Sequence, residues 1–165
     1  MICSNPIRSG TAVGFLHIQH RRLAQLFVDF FAARSESRRY DLTPIICRYV
    51  KLHVTLETEI FVPVLSRATG DKSISADAAK EKALIDAMLY ELEYPDPGAY
   101  GVTEQVYVLS DLIKKHIVAA EGPAGLFERT ALSNVEVEAM GSLLRTRTQE
   151  LRDQWDFNRG VYFTR

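Results

Sequence analysis

Residues 52 to 63 read LHVTLETEIFVP, which sets His53 and Glu57 four positions apart inside an apolar run. On a helix that spacing stacks the two side chains one turn apart, about 6 Å along the axis. One element then offers a cation both an imidazole nitrogen and a carboxylate oxygen. The theme recurs at His20 in LHIQHRRL and at His116, followed five residues later by Glu121, in KKHIVAAEG. These candidates lie on or beside apolar stripes, His20 with Leu16 and Leu23, His53 with Ile46 and Leu56, His116 with Leu109 and Ile113. A buried charge without a partner costs several kcal/mol, so such residues must satisfy one another or hold a metal. Imidazole and carboxylate donors suit iron and manganese and disfavour a site selective for soft, thiophilic metals. The candidate ligands are His20, His53, Glu57, His116 and Glu121.

Their neighbours divide by register. His17 precedes His20 by three and lies on an adjoining face, so it reads as a surface or supporting residue. Glu59 is past the useful register and reads as solvated, and Tyr49, one turn before His53, reads as core. Lys82 stands on an inward stripe where a further histidine would be wanted, and no histidine occurs between residues 54 and 115. A protonated ammonium cannot ligate and repels a cation. Lys82 must therefore leave the core or take a second metal's place and neutralise Glu57 and Glu121. Glu81 could complete the ligand set if its helix is rotated.

The elements that position these residues are all helical. Residues 11 to 34 form a first helix with Thr11 as N-cap and Val13, Leu16, His20, Leu23, Phe27 and Phe31 on one stripe. SESRRYD reads as a polar connector, and Thr43 and Pro44 read as cap and first turn of a second helix running to about Arg67. Pro63 within it should kink it or force a tighter local turn. Gly70 is a plausible C-cap. A third helix spans about 75 to 93, a fourth about 103 to 121, and an amphipathic fifth about 134 to 156, with YPDPGAYG and GPAG as breaks. Four helices of similar length with short connectors predict an all-α, up-down-up-down four-helix bundle, about residues 11 to 127, with the additional C-terminal helix packed against it. All 165 residues are expected to form one domain.

Composition narrows the class. Apolar residues make up 47% and charged residues 25%, which suits a globular chain. A net charge of −1 without a long basic run argues against nucleic acid or an anionic membrane as partner. No stretch has the length of a membrane span, MICSNPIRSG lacks a signal-peptide core, and two cysteines are too few for a disulfide framework. The expected compartment is the cytoplasm.

The motifs resemble those of bacterial hemerythrin-like (HHE cation-binding) proteins over most of the chain. QHRRLAQLF resembles that family's opening helix, LHVTLETEIFVPVL its His-x3-Glu segment, ALIDAMLYELE its third helix and LSDLIKKHIVAAEGPAGLF its fourth. ALSNVEVEAMGSLLRTR resembles the trailing segment of many such proteins. The resemblance implies two non-haem irons bridged by an oxygen species and two carboxylates, with His20, His53, Glu57 and His116 at ligand positions. His116-x4-Glu121 resembles the His-x4-Asp spacing of the oxygen-carrying hemerythrins, and a π-bulge would bring an i+5 residue to the same face. Lys82 departs from the pattern, so the second metal is expected to be weakly held or absent. The implied function is binding or sensing of dioxygen, peroxide or nitric oxide. The alternative is a scaffold bundle whose polar cluster Lys82 closes.

Overall fold

The computed structural model describes residues 10–94, 101–130 and 134–162 and, within the last stretch, the side chains of 136–155. Cys3 and most of the YPDPGAYG break lie outside the described residues. Helix α1 is Ala12–Ala32, α2 Glu36–Leu56, α3 Val62–Thr69, α4 Ser73–Glu93, α5 Val102–Glu121 and α6 Asn134–Tyr162. A π-helical turn, Glu57–Phe61, joins α2 to α3, so residues 36–69 form one continuous rod. Helices α1, α2, α4 and α5 pack together as a four-helix bundle, and α6 lies across α1, α2 and the π turn. The described residues include no strand. No helix among them is long and apolar enough to cross a membrane.

Local chemistry sets the helix ends. Thr11 Oγ accepts the Gly14 N–H at 3.1 Å, the expected N-cap. Gly70 closes α3 in the left-handed region at φ 72°. The second rod begins earlier than the sequence suggests, because Ser35 Oγ accepts the Arg38 N–H at 3.3 Å and Glu36 lies in the first turn, facing the helix dipole. SESRRYD is therefore largely the opening of α2 and not a connector. Pro44 sits inside the helix, where Thr43 Oγ donates to the Arg39 carbonyl at 2.8 Å.

Pro63 also acts differently from expectation. Helix continues through it, and the turn before it is wider and not tighter. The Val62 N–H bonds the carbonyl of Glu57, five residues back. The proline ring crowds the carbonyl four residues before it, and a widened turn relieves that crowding.

The core falls into two apolar clusters. One gathers Leu23, Phe27, Phe30, Ile46, Val50, Ile85, Leu89, Leu109 and Ile113. The other gathers Ala12, Leu16, Leu52, Leu56, Phe61, Leu65, Met140 and Leu144. In α1 the boundary between them falls at His20, and in α2 near His53. Phe30, not Phe31, turns inward: Phe31 is 39% exposed and Phe30 is fully covered. One residue is about 100° of helix, and the period alone does not separate two adjacent phenylalanines at the stripe's edge.

Helix α6 meets the bundle at a close backbone approach. A Cβ on Gly141 would collide with the Gly10 carbonyl and lie 2.9 Å from the Thr11 carbonyl carbon. Arg145 reinforces the contact by donating to the same Gly10 carbonyl at 3.1 Å. Gly141→Ala would gain about 1 kcal/mol of helix propensity, but overpacking against rigid backbone costs about 1–3 kcal/mol. Net destabilisation is expected, read as a lower midpoint in thermal unfolding. A higher midpoint would show that α6 does not press on the start of α1.

Candidate metal centre

Packing of α1, α2 and α5 against one another brings the candidate residues together. Helices α1, α2 and α4 have 21 residues each and α5 has 20, about 30 Å apiece, and the second rod runs on through the π turn to residue 69. His20 comes from α1, His53 from the last turn of α2, Glu57 from the start of the π turn and His116 from α5. All four are buried. One ligand atom from each lies within 4.8 Å of the others. His53 Nε2 is 3.1 Å from both His20 Nε2 and His116 Nε2. Glu57 Oε2 is 3.1 Å from His116 Nε2 and 3.8 Å from His53 Nε2.

The outer ring nitrogens decide what the inner ones present. His20 Nδ1 donates to Glu121 Oε1 at 2.6 Å, His53 Nδ1 to Gln19 Oε1 at 3.0 Å and His116 Nδ1 to Glu81 Oε2 at 3.1 Å. When all three rings are neutral and each proton is drawn to Nδ1, three Nε2 lone pairs and a carboxylate oxygen face one another. A cation answers all four, and the outer acceptors fix ring orientation and raise donor strength. This His/Glu cluster could hold a metal ion. Glu57 Oε1 is buried without a hydrogen-bond partner, as expected of a carboxylate placed for an ion and not for the protein alone.

Electrostatics follow the same layout. Burial lowers the His20 pKa despite the opposing bond to Glu121. Burial, then the neighbouring His20 and His116, press His53 well below its ordinary value. Burial works against charge on His116 too, but the Glu57 and Glu81 carboxylates outweigh it and push its pKa up to about 10. Without a metal, a proton on His116 supplies the missing positive charge.

The structure brings together His20, His53, Glu57 and His116. It places Glu121 outside that group. Helix α5 is regular to its end, with no π-bulge to turn Glu121 onto the His116 face. Glu121 instead grips His20 from behind and also accepts from His17 Nδ1 at 2.8 Å, while Arg21 Nε donates to His17 Nε2 at 3.2 Å. His17 thus supports the cluster through Glu121. Glu81 likewise stands behind His116. Lys82 does not close the cluster: it is partly exposed and pairs with Asp86. Glu59 turns outward to Arg147 at 2.9 Å. Tyr49 is partly buried against the core, under the Arg22 guanidinium.

Sequence reasoning passed over Gln19 and Phe127. Gln19 is buried beside His20, and its signal was a polar residue adjoining an inward stripe. Phe127 stacks on the His20 ring with centroids 5.6 Å apart and meets Phe61 edge-on. It follows α5, where no periodicity marks it.

A crystal structure of a hemerythrin HHE cation-binding domain-containing protein from Mycobacterium kansasii superposes on this chain with a TM-score of 0.72. The match covers 92% of this chain and 93% of that one at 19% identity. The chain has a hemerythrin-like fold. No protein-family model and no curated protein sequence matches it. The hemerythrin-like bundle, with α6 as its additional helix, is thus found from the backbone, while the cluster's chemistry rests on the geometry above.

Residues behind metal ligands typically govern affinity by about 10–100-fold. Glu121→Ala should weaken metal binding by that amount, and His17→Ala by less, with helical content unchanged. Chelator competition followed by circular dichroism reads both. Unchanged affinity in Glu121→Ala would remove Glu121 from any supporting role.

Proposed function

We propose that the protein is a hemerythrin-like, non-haem iron-binding protein that binds or senses a small ligand such as dioxygen, peroxide or nitric oxide. The observation that carries this reading is the convergence of three imidazole Nε2 atoms on Glu57 Oε2, each ring held from behind. Three nitrogens and one oxygen suit iron among the common cations. His20, His53, Glu57 and His116 would hold one ion tightly. When bound, iron supplies open coordination positions and redox chemistry. The chain's own part is to orient the rings through Gln19, Glu81 and Glu121 and to exclude water with Phe127 and the two apolar clusters.

The resemblance that implies two irons meets a practical limit in the side chains. Glu81 and Glu121, the carboxylates available for a second ion, are engaged with His116 and His20. A second ion is therefore proposed to bind weakly. The scaffold reading needed Lys82 inside the cluster, and its pairing with Asp86 removes that support.

Iron analysis of protein expressed in supplemented medium should give about one tightly held ion per chain, lost in His53→Ala and Glu57→Ala with helical content retained. Stoichiometric iron in the double variant would overturn the assignment.

Binding should also depend on pH. The His116 pKa is raised above its free value of 6.5 to about 10. Its ion pairs therefore stabilise the metal-free protein fully below pH 6.5, and that stability is lost as pH rises through about 10. The cation replaces the His116 proton, so uptake releases a proton and tightens as pH rises. The gain in unfolding midpoint on adding metal should grow from pH 6.5 upward. A gain that shrinks over this range would contradict the assignment of His116 as a ligand.

A further inference from the structure

Two consecutive residues of α1 meet the two nitrogens of one ring. His20 Nε2 lies 3.1 Å from His53 Nε2, and Gln19 Oε1 accepts from His53 Nδ1 at 3.0 Å. His53 is the central ring of the cluster, since its Nε2 also lies 3.1 Å from His116 Nε2. The acceptors behind the three rings are not alike. Glu121 behind His20 and Glu81 behind His116 are carboxylates, whereas Gln19 offers a neutral amide oxygen.

Exposure separates them as well. The Glu121 and Glu81 side chains are 25% and 33% exposed, so water screens their charge, while Gln19 is 9% exposed. Glu57 already brings one buried carboxylate to the cluster, and another at position 19 would be costly in the metal-free protein. The amide avoids that cost but is a weaker acceptor, since a hydrogen bond to a charged group is roughly twice as strong as one between neutral groups. It draws the Nδ1 proton less and leaves the His53 Nε2 lone pair less electron-rich than those of His20 and His116. Donor strength matters more to a trivalent ion than to a divalent one, because attraction grows with ionic charge. We propose that Gln19 is a positioning residue that sets the balance between ferric and ferrous iron at the centre, its neutral amide holding His53 as the weakest of three imidazole donors. This rests on the metal reading and adds to it the residue that tunes the ion's oxidation state.

The test uses the full-length protein with iron content measured on every sample. Redox titration against mediator dyes reads one electron exchanged between dye and bound ion. The midpoint gives the ratio of ferric to ferrous affinity, a tenfold change being about 59 mV for one electron. Gln19→Glu should raise that ratio about tenfold or more. Gln19→Leu, of similar size without an acceptor, should lower it about tenfold or more. Packing alone would shift both variants the same way or neither. Each variant has its own expected sign, so one that fails to fold leaves the other decisive. In the metal-free wild type, nitrogen NMR of the imidazoles should show the His53 proton at Nδ1, and a proton held at Nε2 would overturn the pairing with Gln19. An unchanged midpoint in a folded variant, or shifts of one sign in both, would overturn the role of Gln19 and leave the metal reading standing. A wild type that binds no iron would overturn both.

Discussion

Three imidazole nitrogens and a carboxylate oxygen within 4.8 Å of one another demand positive charge, and much of the molecule is arranged around that demand. The rings cannot turn away, because each Nδ1 is tied to an acceptor from another residue. They are largely withheld from water, because apolar clusters lie above and below and none of the three is more than 6% exposed. A proton on His116 meets part of the demand, but one proton cannot serve three nitrogens. The cluster is thus a polar layer between two apolar ones, stable only with its charge answered. The bundle contributes rigidity: every donor comes from a helix or from the π turn, without any loop among them.

The π turn shows how local sequence serves this arrangement. Glu57 begins it, and Pro63 follows two residues after its end. The Glu57 N–H still bonds the His53 and Val54 carbonyls, so His53 and Glu57 keep the α-helical i, i+4 relation. The widening comes afterwards, and it lets Phe61 turn into the core against Phe127. A proline placed one turn earlier would have disturbed the His53–Glu57 pair itself. Its position after the ligands spares the site and spends the irregularity on packing.

Legibility in the sequence tracked whether a feature depends on one helix or on several. His20, His53, Glu57 and His116 were readable because inward position follows from the 3.6-residue period of a single helix. The bundle was readable for the same reason. The bond of Glu121 to His20 was not legible because its partner is on α1, and intrahelical spacing from His116 says nothing about that. Lys82 and Glu81 are adjacent residues near the edge of the stripe, and only the packing of α4 on α5 decides which one meets His116. The early start of α2 was hidden because a capping serine and a charged first turn look like a polar connector until the hydrogen bonds are seen. Gln19 and Phe127 carried weak signals, one at a stripe's margin and one after a helix end.

The two sides of the centre are built differently, and that difference has a consequence for access. At His20 the ring is stacked by Phe127 and gripped by Glu121, which His17 also holds. On the other side Glu57 and His116 line the cleft between α4 and α5. Both sides carry ionic bonds, Glu121 with His17 and His20 on one and Glu57 and Glu81 with His116 on the other. The cleft side also carries apolar walls, which lose little by facing a ligand and gain by shedding water when one enters. Glu57 and His116 line the cleft, while His20 and His53 are not among its lining residues. The same division explains why burial lowers His20 and His53 but carboxylates dominate at His116. Two rings are kept neutral as donors, and the third, beside the cleft, is the one whose proton a cation must displace.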